Sequence, residues 1–216
     1  MATASLPHTL PDTLRGVVRA APCVPPRPGL ILDRDGVVVV EVNYLSRPED
    51  VALEAGAAAL LRACAERGIP VGIATNQSGI DRGYFAWSDY DAVAARLDAL
   101  LAAEGVPPLT TAACPYHPKH TPDWSAAHDH WRKPGPGMCL WLAEALGLDL
   151  SRSWLIGDKA ADLKAARAAG MRGGIHVLTG HGAEEREKAL TVATDTFTVV
   201  AVDRLSKVDL GRLFPR

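Results

Sequence analysis

From residue 29 onward, short apolar runs alternate with longer stretches of helical period, and that alternation leaves few architectures open. A strand covered on both faces needs a continuous apolar run, and a parallel neighbour needs a crossover, most simply a helix. Strands are expected over 29–33, 70–75, 110–114, 153–157 and 174–178, with a late one over 197–202. Helices are expected over 55–67, 88–104, 136–147, 159–169 and 182–190. Ser88, with Asp91 three residues on, reads as an N-cap, and Gly105 as the stop of the same helix. Gly68 and Gly170 close two other helices after Arg67 and Ala169. The order implies an α/β domain, a Rossmann-like three-layer α/β/α parallel sheet. No internal repeat or linker divides it. Residues 1–28 carry six prolines and form an arm beside a domain over 29–216, with a short helix around 12–20.

A chain of 216 residues is long enough for a core that needs no staples. The net charge of −2 argues against a grip on a nucleic-acid backbone. Cys23, Cys64, Cys114 and Cys139 are widely spaced and suggest reduced thiols, not a disulfide framework. No apolar run approaches membrane-spanning length, and residues 1–28 lack the apolar centre of a signal peptide. A cytoplasmic monomer without a membrane partner is the expectation.

The first strand runs through Gly29-Leu30-Ile31-Leu32 into Asp33-Arg34-Asp35-Gly36. Side chains at i and i+2 emerge on one side of a strand, so two carboxylates meet where it ends. Packing gives no reason for that repulsion; a divalent cation and a phosphoryl-transfer task do. A capped loop after a core strand is the plainer alternative for this segment alone. Three further motifs decide between them. One strand leads into Thr75-Asn76-Gln77-Ser78-Gly79, another into Gly157-Asp158-Lys159 with Asp162 a turn later, and Arg132-Lys133-Pro134 precedes a helix. Open α/β sheets bind ligands beyond the carboxyl ends of their strands, where these four motifs would converge. Each alone is weak, and the ordered set is strong.

This set resembles the haloacid dehalogenase superfamily of phosphohydrolases, over roughly residues 29 to 180. The likeness is nearest to its small members without a large cap domain, among them heptose 1,7-bisphosphate 7-phosphatases and histidinol-phosphate phosphatases. It implies a Mg²⁺-dependent phosphomonoesterase acting on a small phosphorylated metabolite, a heptose 1,7-bisphosphate first and histidinol phosphate second. A 3′-phosphatase of nucleic-acid ends is a third reading, disfavoured by the charge; a non-catalytic phosphate binder is the fourth. On the resemblance, Asp33 is the nucleophile and Asp35 the general acid and base. Asp33, the carbonyl of Asp35, and Asp158 hold Mg²⁺. Thr75 and Lys133 stabilise the transferring phosphoryl group. Arg34, Asn43, Tyr44, Asn76, Gln77, Ser78, Arg132 and Lys159 fall at substrate-binding positions. The residues leave a structural alternative for Lys159 (pairing with Asp162) and for Asn76 and Ser78 (holding a turn). Asp162 reads as structural, and His176 and His181 as surface groups.

The segment 115–135 shows no clean period and is dense in Pro, His and Trp, so a long loop is expected there. Related enzymes often hold a structural Zn²⁺ in this place through C-x-H and C-x-C. Here Cys114, His117, His128 and His130 fall near those positions, with the first histidine displaced by one residue, histidines for both later cysteines, and Trp131 interposed. A thiolate and three imidazoles suit tetrahedral zinc. A metal-free loop pinned by Trp124, Trp131 and the prolines is the alternative.

Overall fold

The protein, a computed structural model, is described over residues 25–215. Of the expected arm, only residues 25–28 fall within that range. There Arg27 bridges to Leu148: its N–H donates to Gly147 O at 3.1 Å and its carbonyl accepts from Asp149 N–H at 3.0 Å. The expected helix around 12–20 lies outside the described residues.

Six parallel strands form one sheet: β1 (Leu30–Leu32), β2 (Val71–Asn76), β3 (Thr110–Cys114), β4 (Trp154–Gly157), β5 (Gly173–His176) and β6 (Thr198–Ala201). Their spatial order is β3-β2-β1-β4-β5-β6. The crossovers are α1 (Ala57–Glu66), α2 (Trp87–Ala103), α4 (Gly137–Leu146), α5 (Ala160–Ala168) and α6 (Gly182–Leu190). Among the described residues, every expected strand and helix is present within one or two residues. Two short helices were not anticipated, α3 (Ala126–Trp131) and α7 (Leu210–Leu213). The helix α3 sits inside the segment read as a long loop; at six residues it is too short to show a period. One boundary signal also moves. The N-cap of α2 is Ala86, not Ser88, and Asp89 accepts from its N–H at 2.8 Å. Gly68, Gly105 and Gly170 follow their helices with φ of 63°, 74° and 78°, the left-handed turn that ends a helix without a Cβ penalty.

Alternation along the strands feeds two cores. Leu30, Leu32, Val71, Ile73, Trp154 and Ile156 pack on one side with Leu61, Val93, Leu97 and Leu101. Ile31, Ala74 and Leu155 pack on the other with Met138, Leu142, Leu163, Ala166 and Phe197. Both faces are covered, as a parallel sheet requires. Burying each such aliphatic side chain contributes about 1.5–3 kcal/mol, so the strand ends are held by a rigid frame.

The strand order reverses about β1, which pairs with β2 on one side and β4 on the other. A crevice opens beyond the carboxyl ends of strands at such a switch point. Asp33 continues the ladder past β1, its N–H donating to Ile156 O at 2.9 Å. Its side chain therefore emerges at the crevice.

Candidate active site

Three carboxylates gather at this point, two at the ends of buried strands and one in the helix that follows. Asp33 follows β1, Asp158 follows β4, and Asp162 lies in the first turn of α5; all three are buried. One oxygen from each lies within 4.8 Å of the others. A single ammonium enters the cluster. Lys133 Nζ donates to Asp162 Oδ1 at 2.6 Å, to Asp33 Oδ1 at 2.9 Å and to Ala74 O at 2.7 Å. Burial opposes its charge, but Asp162 and Asp33 more than offset that and hold it above the ordinary lysine range. Asn76 fixes the backbone behind it, donating to Lys133 O at 3.0 Å and accepting from Lys133 N–H at 3.2 Å.

Three buried carboxylates with one ammonium leave negative charge uncompensated. Burial, reinforced by Asp33 and Asp162, pushes Asp158 up to about 8. Burial, with Lys133 opposing and Asp162 and Asp35 adding, pushes Asp33 up to about 6. Asp158 Oδ2 accepts from His181 N–H at 2.8 Å, while its Oδ1 is sealed from solvent without a donor. Both oxygens of Asp162 are committed, Oδ1 to Lys133 and Oδ2 to Lys159 N–H at 3.0 Å. Asp33 Oδ1 accepts from Lys133 and from Arg34 N–H at 2.7 Å, so its Oδ2 is the oxygen left to act. Asp33 and Asp158 thus retain oxygens for a hard cation, and Mg²⁺ fits that donor set. Gly36, with φ of 76°, lets the chain turn against this carboxylate: a Cβ there would lie 2.8 Å from Asp158 Oδ2.

The carboxylates open into a cavity of about 430 Å³. Asn43, Tyr44, Asn76, Gln77, Ser78, Arg132, Lys133 and Lys159 border it. Tyr44 has φ of 63°, and its ring meets that of Tyr84 edge-on at 4.6 Å, with the Arg82 guanidinium 5.8 Å from its centre. Arg132 donates to Tyr116 O at 2.9 Å.

Four sequence expectations are placed differently. Thr75 is fully buried and absent from the cavity wall; its hydroxyl accepts from Gln77 Nε2 at 2.8 Å. Arg34 borders the cavity, with its side chain 3% exposed and turned onto Asp35. Lys159 does not pair with Asp162 through its ammonium; Nζ lies 3.9 Å from Glu41 Oε2. His176 is buried rather than on the surface, because β5 is covered on both faces. It donates through Nε2 to the carbonyl of Asp158 at 2.9 Å, and burial lowers its basicity. His181 is exposed as expected, yet it edges the cavity with Nε2 3.7 Å from Glu41. Glu41 and His181 are the ionisable lining residues to which the sequence reading gave no role. They stand in loops well past the ends of β1 and β5, where no strand-end motif marks them.

The zinc set does not assemble. Among the described residues, no three of Cys114, His117, His128 and His130 bring ligand atoms within 4.8 Å. His117 Nε2 lies 2.7 Å from Arg82 Nη2, a fixed cation where a metal would be needed. His128 Nδ1 accepts from Ser125 N–H at 3.1 Å, with its ring beside Tyr116 and Trp124. Trp131, called a loop pin, is buried and donates to Ala113 O at 3.2 Å.

A family model described as HAD-hydrolase-like matches residues 130–205, which span the Arg132-Lys133 and Gly157-Asp158-Lys159 motifs. A D-glycero-β-D-manno-heptose-1,7-bisphosphate 7-phosphatase of Mesorhizobium japonicum is 41% identical over 150 residues, 69% of each chain. The chain belongs to the HAD-like hydrolases. Among solved structures, a HAD-like phosphatase from Mesorhizobium loti matches with a TM-score of 0.74 and 35% identity, over 92% of this chain and 89% of that one. The D,D-heptose 1,7-bisphosphate phosphatase of B. bronchiseptica, complexed with magnesium and phosphate, matches with a TM-score of 0.69 and 30% identity. That match covers 82% of this chain and 94% of the other. The family agrees with the sheet order and with motifs gathered at the strand ends.

Proposed function

We propose that this hydrolase removes the 7-phosphate of a D-glycero-D-manno-heptose 1,7-bisphosphate. The observation that carries the reaction class is Asp33 Oδ2, free of protein donors beside a buried ammonium and within a carboxylate cluster suited to Mg²⁺. The named relatives, with identities of 33–41%, supply the substrate. Arg132 and Lys159 both line the cavity, and a second phosphate gives them an anion to bind. A cytoplasmic monomer remains our reading of the working form; among the described residues, no helix is long and apolar enough to cross a membrane.

In this reading Asp33 Oδ2 attacks phosphorus as the bond to the sugar oxygen breaks, giving an aspartyl-phosphate. Asp35 gives its proton to the leaving oxygen. It then takes one from the water that attacks phosphorus, and the Asp33–phosphate bond breaks to release inorganic phosphate. Lys133 holds Asp33 in place and meets the charge that develops on the phosphoryl oxygens. Asp33, the Asp35 carbonyl and Asp158 would hold Mg²⁺, which supplies charge neutralisation between the phosphate dianion and the carboxylate.

The test is phosphate release from the heptose bisphosphate, histidinol phosphate and a DNA 3′-phosphate, in wild type and Asp33→Asn. The expected result is the highest kcat/KM on the heptose bisphosphate, with loss of the 7-phosphate, and a fall of at least about 10³-fold in Asp33→Asn. A preference for either other substrate overturns the assignment. An Asp33→Asn variant within tenfold of wild type overturns the covalent route.

A further inference from the structure

The side chain of Asp35 is cradled from below. Its Oδ1 accepts from Arg34 Nε at 3.1 Å and Nη2 at 2.9 Å. Its Oδ2 accepts from Arg34 Nη2 at 3.1 Å and Gln77 Nε2 at 2.7 Å, with Thr75 Oγ1 3.5 Å away. Both holders are themselves fixed. The Arg34 guanidinium lies 5.4 Å from the centre of the buried Tyr90 ring, and its Nη1 is sealed from solvent with no acceptor. Gln77 is 4% exposed, and its N–H donates to Cys114 O at 2.6 Å, extending the β2–β3 ladder. Its amide orientation is fixed as well, because the reverse would set Oε1 against the Asp35 carboxylate.

A buried arginine with one edge unpaired serves something other than packing. What it does touch is the carboxylate that the proposed reaction uses twice.

We propose that Arg34 and Gln77 are positioning residues that seat Asp35 for its part in the reaction. The inference rests on the phosphatase reading above. The guanidinium fork and Gln77 Nε2 bond both carboxyl oxygens of Asp35, with Thr75 Oγ1 beside them, and so fix its rotamer. A sugar oxygen needs a proton as its bond to phosphorus breaks, so that step depends on where Asp35 stands; a phenolate leaves without one, so its departure does not. The cradle therefore sets the position of Asp35, while neither holder touches the reacting atoms.

The experiment compares kcat/KM on the heptose bisphosphate and on p-nitrophenyl phosphate, whose leaving phenolate needs no proton, since kcat/KM reports the first chemical step. Asp35→Asn sets the benchmark: a large loss on the sugar phosphate and a small one on the aryl phosphate. Arg34→Lys keeps the charge but not the fork, and Gln77→Leu removes the amide donor at similar volume. Both are expected to lose about tenfold or more on the sugar phosphate and less than about threefold on the aryl phosphate, with KM nearly unchanged. Equal losses on both substrates, a loss carried by KM, or no loss in either variant overturns the cradle. If Arg34→Lys fails to fold, as judged by far-UV dichroism, Gln77→Leu decides alone. A wild type inactive on both substrates, or an Asp35→Asn variant with no selectivity, overturns the phosphatase reading instead, and the two failures are told apart.

Discussion

Lys133 sits closer to Asp162 (2.6 Å) than to Asp33 (2.9 Å), so a residue outside the reaction holds the ammonium that faces the nucleophile. The consequence lies in how each group is spent. Asp162 gives both oxygens to protein donors and anchors the ammonium, leaving Asp33 with one oxygen unbound. A lysine paired with Asp33 alone would be free to neutralise it; one shared with Asp162 fixes Oδ1 and leaves Oδ2 for chemistry.

Replacing Lys133 by Met removes the ammonium from a site where its partners stay buried. Losing one member of a buried ion pair costs about 3–5 kcal/mol, because the remaining charges are uncompensated. For a chain of this size each kcal/mol moves Tm by roughly 2–4 °C. Thermal unfolding at about pH 8 in EDTA, above the range to which Asp33 is raised, is expected to show a fall of at least about 6 °C. Mg²⁺ should return part of it. An unchanged Tm would mean that the cluster does not depend on Lys133 for compensation.

The strands and their end motifs were legible because they rest on local signals. A run such as Leu30-Ile31-Leu32 declares a strand covered on both faces, and Gly36 or Gly68 declares a turn. Convergence of the four motifs followed from sheet topology. What each side chain does inside the site followed from neither. Strand parity predicts where Asp33 and Asp35 emerge, but a long side chain such as Arg34 can fold back, and only the packing of Tyr90 fixes its course. Thr75 and Gln77 were seen as phosphate donors because the motif names them; the bond from Gln77 to Asp35 depends on β2 lying beside β1. His176 looked like a surface group because a lone histidine carries no periodicity. Its burial comes from the helices over β5, which no local pattern encodes.

The raised carboxyls give the protein a pH dependence opposite to that of ordinary acid denaturation. Asp33 and Asp158 hold their protons up to about 6 and about 8 in the folded chain, against 3.8 for a free aspartate. Above about 3.8 the folded state therefore binds more protons than the unfolded one, and stability from these two groups declines as pH rises. Their contribution is fully present below the unfolded value. It is lost through about 6 for Asp33 and about 8 for Asp158. Mg²⁺ binds the ionised carboxylates, so its stabilisation should grow across the same window. Melts in EDTA and in Mg²⁺ from about pH 5 to about pH 8 are expected to show Tm falling with pH in EDTA and a widening gain from Mg²⁺. A Tm that climbs with pH in EDTA would refute the assignment of both groups.

The last prediction concerns the segment after β3. Its order comes from protein contacts: Thr121 Oγ1 donates to Asp81, His117 N–H donates to Asp81 at 3.3 Å, and the His117 ring meets Arg82. Cys114 is buried, and that burial pushes its thiol up to about 12, far from the thiolate that zinc binds. A zinc site here would need Arg82 to leave His117, His128 to leave Ser125, and the thiol to ionise beside them. Protein prepared without chelators is therefore expected to carry far less than one zinc per chain by elemental analysis. Arg82→Ala, which frees His117 and removes the stacked cation from Tyr44, should lower Tm by about 2–4 °C, as loss of roughly 1 kcal/mol does at this size. A stoichiometric zinc that survives mild chelation, with a large drop in Tm for His128→Ala, would restore the metal reading and require the four ligands to converge.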